Sequence, residues 1–112
     1  MFNVAIVGAD NYKDRTVCTM KTINFLKNRA KEGITILSTG EEFINDFSNR
    51  FNIDTKVFYT DFKKYGKEAL KYRNNELLDE CNGIIVFNDG KKDTEYLRQM
   101  AISKNIPLRY VP

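Results

Sequence analysis

Arg73 is the residue whose position most needs a chemical explanation. Ala69, Leu70, Leu77 and Cys81 recur at helical spacing and define an apolar face. At about 100° per residue, Arg73 falls inside that stripe and not on the wet side. A guanidinium is rarely taken out of water without a partner. Arg73 either pairs with an internal carboxylate or caps carbonyl groups, or it points into a cleft and forks onto a phosphate or carboxylate. Asn74 and Asn75 follow, with side-chain amides able to read a base or ribose edge.

Three other segments carry residue types suited to a site. Gly8-Ala9-Asp10-Asn11-Tyr12 follows an apolar run. Its single glycine allows either an ordinary tight turn or a close backbone approach to a ligand, and the dinucleotide fingerprint Gly-x-Gly-x-x-Gly is missing. Ser38-Thr39-Gly40-Glu41-Glu42 has capping-box spacing twice, Ser38 to Glu41 and Thr39 to Glu42. Two glutamates in a helix's first turn already use its dipole, so sugar hydroxyls suit that place better than a phosphate. Asn88-Asp89-Gly90-Lys91-Lys92-Asp93-Thr94 contains an Asp-Gly turn signal, with Asp93 as a helix cap and Thr94 in the first turn. Lys91 and Lys92 could attract an anion, although paired loop lysines are ordinarily just solvated.

Composition narrows the chemistry. The chain of 112 residues contains no histidine, which excludes imidazole bases, Ser-His or Cys-His nucleophile pairs and His-ligated zinc. Cys18 and Cys81, both in helix-like segments, imply neither a thiolate metal site nor a disulfide framework. No metal and no cofactor are therefore expected. Any catalysis falls to carboxylates, and Asp10, Glu41 and Glu42 are the candidates at strand ends. The net charge of +3 is too small for a nucleic-acid binder by charge alone. No apolar run approaches the roughly 18 residues of a membrane span. Met1-Phe2-Asn3-Val4 opens directly into a strand pattern without a signal-peptide layout, so a soluble, cytoplasmic protein with no membrane partner is expected. The wealth of Lys and Asn points to an AT-rich bacterial or phage genome.

The elements that must position these residues alternate between two periods. Strands are predicted at Phe2–Val7, Ile34–Thr39, Ile53–Tyr59, Gly83–Asn88 and Ile106–Val111, with Pro107 suiting an edge. Helices are predicted over 13–32 (Val17, Met20, Ile23, Leu26, Ala30), 41–51 (Phe43, Ile44, Phe47, Phe51), 64–81 and 93–104 (Leu97, Met100, Ala101). Strands apolar on both faces and separated by helices imply a parallel sheet covered on both sides. The fold class is α/β: residues 1–112 form one Rossmann-like, doubly wound three-layer sandwich, with a five-stranded parallel sheet and about four helices. Ligands in such folds sit outside the carboxyl ends of the strands. The segments Gly8–Tyr12, Ser38–Glu42, Tyr59–Gly66 and Asn88–Thr94 are therefore the ones to inspect.

In order along the chain, Val4-Ala5-Ile6-Val7-Gly8, Asp61-Phe62-Lys63-Lys64-Tyr65-Gly66-Lys67-Glu68-Ala69, Arg73-Asn74, and Asp89-Gly90 ahead of Thr94 resemble the SLOG superfamily, closest to its small stand-alone branch related to YspA and YpsA. The Tyr-Gly-Lys…Arg-Asn block is the specific part. The resemblance implies a pocket for a nucleotide or nucleotide-derived molecule, with Gly8, Ala9, Asp10, Ser38, Thr39, Gly40, Arg73, Asn74, Asp89, Gly90 and Thr94 around it. The chain departs from the family pattern at Ala9-Asp10 (usually Ser-Arg), at Thr39 and Phe43 (usually Gly), at Asn45 (usually Asp) and at Asp93 (usually Gly). In the branch that hydrolyses nucleoside monophosphates, a glutamate falls where this chain has Leu97.

The expectation is a module that binds a nucleotide-derived small molecule, for sensing or sequestering and without catalysis, in a homodimer or higher homo-oligomer. An N-glycosidase working through a carboxylate is the alternative. A single-stranded nucleic-acid module is the third reading: over residues 61–73, Lys63, Lys64, Lys67, Lys71 and Arg73 face only Asp61 and Glu68, and Tyr65 and Tyr72 could stack on bases.

Overall fold

The apolar runs form the interior of one sheet. The computed structural model describes residues 1–112, the side chain of Ala30 excepted, so the part expected of Ala30 in the first helix's stripe lies outside the described residues. Strands β1 (Phe2–Val7), β2 (Ile34–Ser38), β3 (Asp54–Val57), β4 (Gly83–Phe87) and β5 (Leu108–Val111) pair in the order β3-β2-β1-β4-β5, every pair parallel. Helices α1 (Arg15–Leu26), α2 (Glu42–Phe51), α4 (Ala69–Glu80) and α5 (Lys92–Ser103) are the long ones, and α3 (Phe62–Tyr65) is a single turn. The expected α/β, Rossmann-like fold is the one observed.

Side-chain alternation along the central strands divides the core in two. Val4, Ile6, Ile36, Ile85 and Phe87 pack with Cys18 and Leu26 of α1 and Phe43, Ile44 and Phe47 of α2. Ala5, Val7, Leu37, Ile84 and Val86 pack on the other face with Leu77 and Leu78 of α4 and Leu97 and Ala101 of α5. The chain winds from β1 outward to β3, then crosses back to β4 on the opposite side of β1. The strand order therefore reverses between β1 and β4, the place where such sheets form a ligand crevice.

Several expectations are corrected. β3 is not apolar on both faces: Asp54, Thr55 and Lys56 are exposed, as suits an edge strand that must resist further pairing. The first helix stops at Leu26 and is followed by a separate turn of 3-10 helix at Ala30–Glu32. Its buried face is Cys18, Thr22 and Leu26, leaving Met20 58% exposed and Ile23 on the outer side, because the sheet claims the face a residue or two away from the apolar stripe read from spacing. Phe43 and Phe47 are core, whereas Phe51 is exposed and lines a surface hollow with Ile23. Cys81 is not helical but sits in extended backbone after α4. Asp93 lies inside α5 and does not cap it.

The helix expected over 64–81 is broken. Gly66 adopts φ 55° and ψ −125°, outside the helical region, and 3-10 geometry at Gly66–Glu68 links α3 to α4. This places Tyr65-Gly66-Lys67 at a corner. α4 buries Ala69, Asn74, Leu77 and Leu78, so Arg73 lies at the border of the buried stripe and is half-buried. Among the described residues, no helix is long and apolar enough to cross a membrane.

Candidate functional site

At the carboxyl ends of β1, β2 and β4 lies a cleft of about 170 Å³. Gly8, Thr39, Arg73, Asp89 and Thr94 line it, all five expected from the sequence, and Glu41 lines it as well. The remaining wall comes from Val7, Asn11, Lys91, Asp93 and Leu97. Asn11 falls in a strand-to-helix segment singled out from the sequence without a role of its own, and Lys91, considered there as an anion-attracting lysine, lines the cleft. Leu97, which stands where a related glutamate would be, is buried and contributes an apolar floor.

The first loop turns at Gly8 with φ +88°. Tyr12 anchors its far end, its ring 5.5 Å from that of Phe87 and its hydroxyl donating to the Pro112 carbonyl at 2.8 Å. Between them Ala9 is buried in the core and Asp10 turns toward α2. Asp10 Oδ2 accepts from the Glu42 amide at 2.8 Å and Asp10 Oδ1 from the Phe43 amide at 2.7 Å. Those are first-turn donors of α2, so a carboxylate from another loop caps this helix. The two capping boxes expected within Ser38–Glu42 do not form. Glu41 occupies the cap position without a side-chain cap bond, and Ser38 Oγ instead accepts from the Gly40 amide at 2.9 Å. The Asp10 carboxylate also meets Arg15 at 3.4 Å. Its oxygens are thus committed to structure, and the positive end of α2 already holds an anion. Glu42 is exposed, Gly40 turns at φ +97° outside the cleft wall, and Gly90 turns at φ +76° over open space.

Asp89 organises the fourth loop. Its Oδ1 accepts from the Lys91 amide at 2.9 Å and its Oδ2 from the Thr94 hydroxyl at 2.8 Å. Asp89 and Thr94, at the entry to α5, are therefore locked together, with the carboxylate lining the cleft.

Arg73 is positioned from two sides. Its Nε and Nη2 donate to Asn74 Oδ1 at 3.2 and 3.1 Å, and its Nη1 donates to Thr60 Oγ1 at 3.2 Å. Asn74 is buried, so it serves as a fixed bracket for Arg73. Asn75 is partly buried. Both readings open for Arg73 have a counterpart: three of its N–H groups go to internal side chains, two of them to the Asn74 carbonyl oxygen, yet it lines the cleft, no carboxylate among the described residues lies within ion-pair distance, and one N–H remains on each of Nη1 and Nη2. Burial lowers its pKa, opposed by the more distant charges of Asp93 and Glu41. Thr60 was not singled out by sequence; its only signal is its place in the segment after β3.

Glu41 is the carboxyl of the cleft whose surroundings perturb it most. Oε1 accepts from the Asp10 amide at 3.1 Å, while the buried Oε2 has no protein partner. Burial raises its pKa from 4.5 to about 7, helped by the charges of Asp10 and Asp89 and opposed by the Asp10 and Gly8 amides. Both cysteine thiols are pushed up to about 11 by burial, so neither is a thiolate nucleophile at neutral pH.

The raised carboxyl sets a pH dependence of stability. Below pH 4.5 folded and unfolded chains both hold the Glu41 proton. Between pH 4.5 and about 7 only the folded chain holds it, so stability falls as pH rises. The loss is complete above about pH 7 and amounts to roughly 3 kcal/mol. Glu41→Gln is expected to remove this slope and to exceed the wild type in stability at pH 8 by up to that amount. Urea denaturation of both proteins at pH 5 and pH 8 measures it; a difference that does not change with pH would refute the assignment.

Compared with protein-family models, curated proteins and solved structures, the chain matches none at a significant level.

Proposed function

We propose that the protein binds a nucleotide-derived small molecule in the cleft at the β1/β4 switch point. The carrying observation is Arg73, a half-buried guanidinium held by Thr60 and Asn74, without a carboxylate partner, with two N–H groups left for an anion. Around it are groups suited to sugar hydroxyls: the Asp89 carboxylate, the Thr94 hydroxyl and the Thr39 side chain. The resemblance of Tyr65-Gly66-Lys67…Arg73-Asn74 to the SLOG pattern supports the same ligand class. Thermal-shift and calorimetric titration against adenine and guanine nucleotides tests it, and stabilisation by at least one is expected. A flat response across mono-, di- and cyclic nucleotides would reject the reading.

A second reading is favoured by Glu41. A buried carboxyl with pKa near 7 and one free oxygen is suited to give or take a proton at a glycosidic bond. This is the N-glycosidase alternative, with the carboxylate supplied after β2. Long incubation with AMP followed by chromatography decides it. Release of adenine that disappears in Glu41→Gln would establish turnover, and no release would leave a binding protein.

A further inference from the structure

Arg73 lines two clefts. Besides the one at the sheet end, it forms part of the wall of a second cleft of about 330 Å³ with Tyr59, Lys64, Tyr65 and Glu76. The first, at about 170 Å³, is smaller than the roughly 300 Å³ at which small-molecule pockets begin. A ligand that used Arg73 and only that cleft would leave much of itself outside. The second cleft differs in character. Tyr59 stands just beyond β3 with 81% of its surface exposed, presenting a ring with little packed on it. Tyr65 is braced by Tyr72, ring centroids 4.1 Å apart, which fixes that part of the wall. Lys64 adds a donor to the lining, and Asp61 and Glu76 add acceptors.

Charge limits what Arg73 can hold. The sheet-end cleft holds Glu41, Asp89 and Asp93 against Arg73 and Lys91; the α2 N-terminus is occupied by Asp10, and the α5 N-terminus, where Lys91, Asp93 and Thr94 line the cleft, already carries Asp93 and Glu95 in its first turn. A terminal phosphate monoester brings two negative charges into that field, whereas a phosphodiester brings one. One guanidinium with two uncommitted N–H groups matches a single diester phosphate.

We propose that the ligand is a two-part molecule joined through a phosphodiester. The linking phosphate sits on Arg73, a ribose-bearing half occupies the cleft with Asp89 and Thr94, and a heteroaromatic ring occupies the second cleft against Tyr59. The inference rests on the nucleotide-binding reading and specifies its ligand as a dinucleotide rather than a mononucleotide. The test is calorimetric titration of the full chain with adenylyl-(3′→5′)-adenosine, AMP and adenosine, in the wild type and in Tyr59→Ala. The exposed Tyr59 can be removed without disturbing the core, which circular dichroism checks. The dinucleotide is expected to bind at least about tenfold more tightly than AMP, and Tyr59→Ala to erase most of that advantage while leaving AMP affinity within about twofold. AMP binding as tightly as the dinucleotide, or an advantage unchanged by Tyr59→Ala, would overturn the inference and leave nucleotide binding standing. Binding of none of the three, together with a flat response to the guanine and cyclic nucleotides, would overturn both. Binding of a ten-residue oligodeoxyadenylate far above the dinucleotide, with steep salt dependence, would make a polymer the ligand and overturn it too.

Discussion

Gly8→Ala is expected to be among the most destabilising single substitutions in this chain, at about 3 kcal/mol or more. Two independent costs meet at this position. Gly8 has φ +88°, which an L side chain rarely adopts. A Cβ there would also lie 2.1 Å from the Phe87 carbonyl oxygen and 3.3 Å from Thr94 Cγ2. The oxygen cannot yield, because β4 is fixed on both sides. Val86 pairs with Val7 of β1, Phe87 pairs with Val111 of β5, and the Phe87 ring is fully buried. Relief requires β1 and β4 to part at the switch point, which would also widen the cleft. For a domain of this size the loss corresponds to a fall in Tm of roughly 12–20 °C. Gly90→Ala is the internal comparison. Gly90 also has positive φ, at 76°, but nothing lies within 4 Å of its would-be Cβ, so only the backbone cost of about 1 kcal/mol is expected. Thermal denaturation of the two variants side by side checks this; equal losses would mean that close approach to β4 does not distinguish Gly8.

The legible and the hidden parts of this site differ in physical kind. The sheet was readable because Val4 to Val7 and Ile84 to Phe87 are buried on both faces, and such runs separated by helical spacing admit few architectures. The strand-end segments followed from that topology, and Gly8, Thr39, Asp89 and Thr94, which the resemblance implied for a pocket, fall within them. What sequence spacing could not show were partnerships across segments. Asp10 was read as a candidate for catalysis because it follows a strand, yet it caps a helix that begins more than thirty residues later. Local capping rules assigned that duty to Ser38 and Thr39, the nearest hydroxyls, and the tertiary contact prevailed. Glu41 was among three equivalent carboxylates. Only burial of its Oε2 and the proximity of Asp10 and Asp89 separate it from exposed Glu42. The break at Gly66 was masked by good helix formers on both sides, although the glycine itself was the available signal.

Arg73→Ala is expected to weaken nucleotide binding by about 30- to 150-fold, the equivalent of roughly 2–3 kcal/mol for a charge-assisted contact to a phosphate. The structural alternative makes the opposite prediction for stability. An arginine that held the fold together would be costly to remove, whereas Arg73 has no ion-pair partner and carries a burial penalty that lowers its pKa. Its hydrogen bonds to Thr60 and Asn74 offset part of that penalty. Arg73→Met keeps the apolar stem and removes the charge; it relieves the burial penalty but leaves the buried Asn74 Oδ1 without its two donors, so a loss of no more than about 2 kcal/mol is expected while binding falls as in the alanine variant. Arg73→Lys separates charge from geometry. A lysine retains the positive charge but cannot reproduce three donors directed to Thr60 and Asn74 together with two left for a ligand. An intermediate loss of about tenfold is expected, growing with salt because a point charge is screened more readily than a bidentate pair. Calorimetric titration and urea denaturation of the three variants measure both quantities. Stability lost in Arg73→Met by several kcal/mol, with unchanged affinity in whatever folds, would make Arg73 a structural residue and remove the anchor of the proposed site.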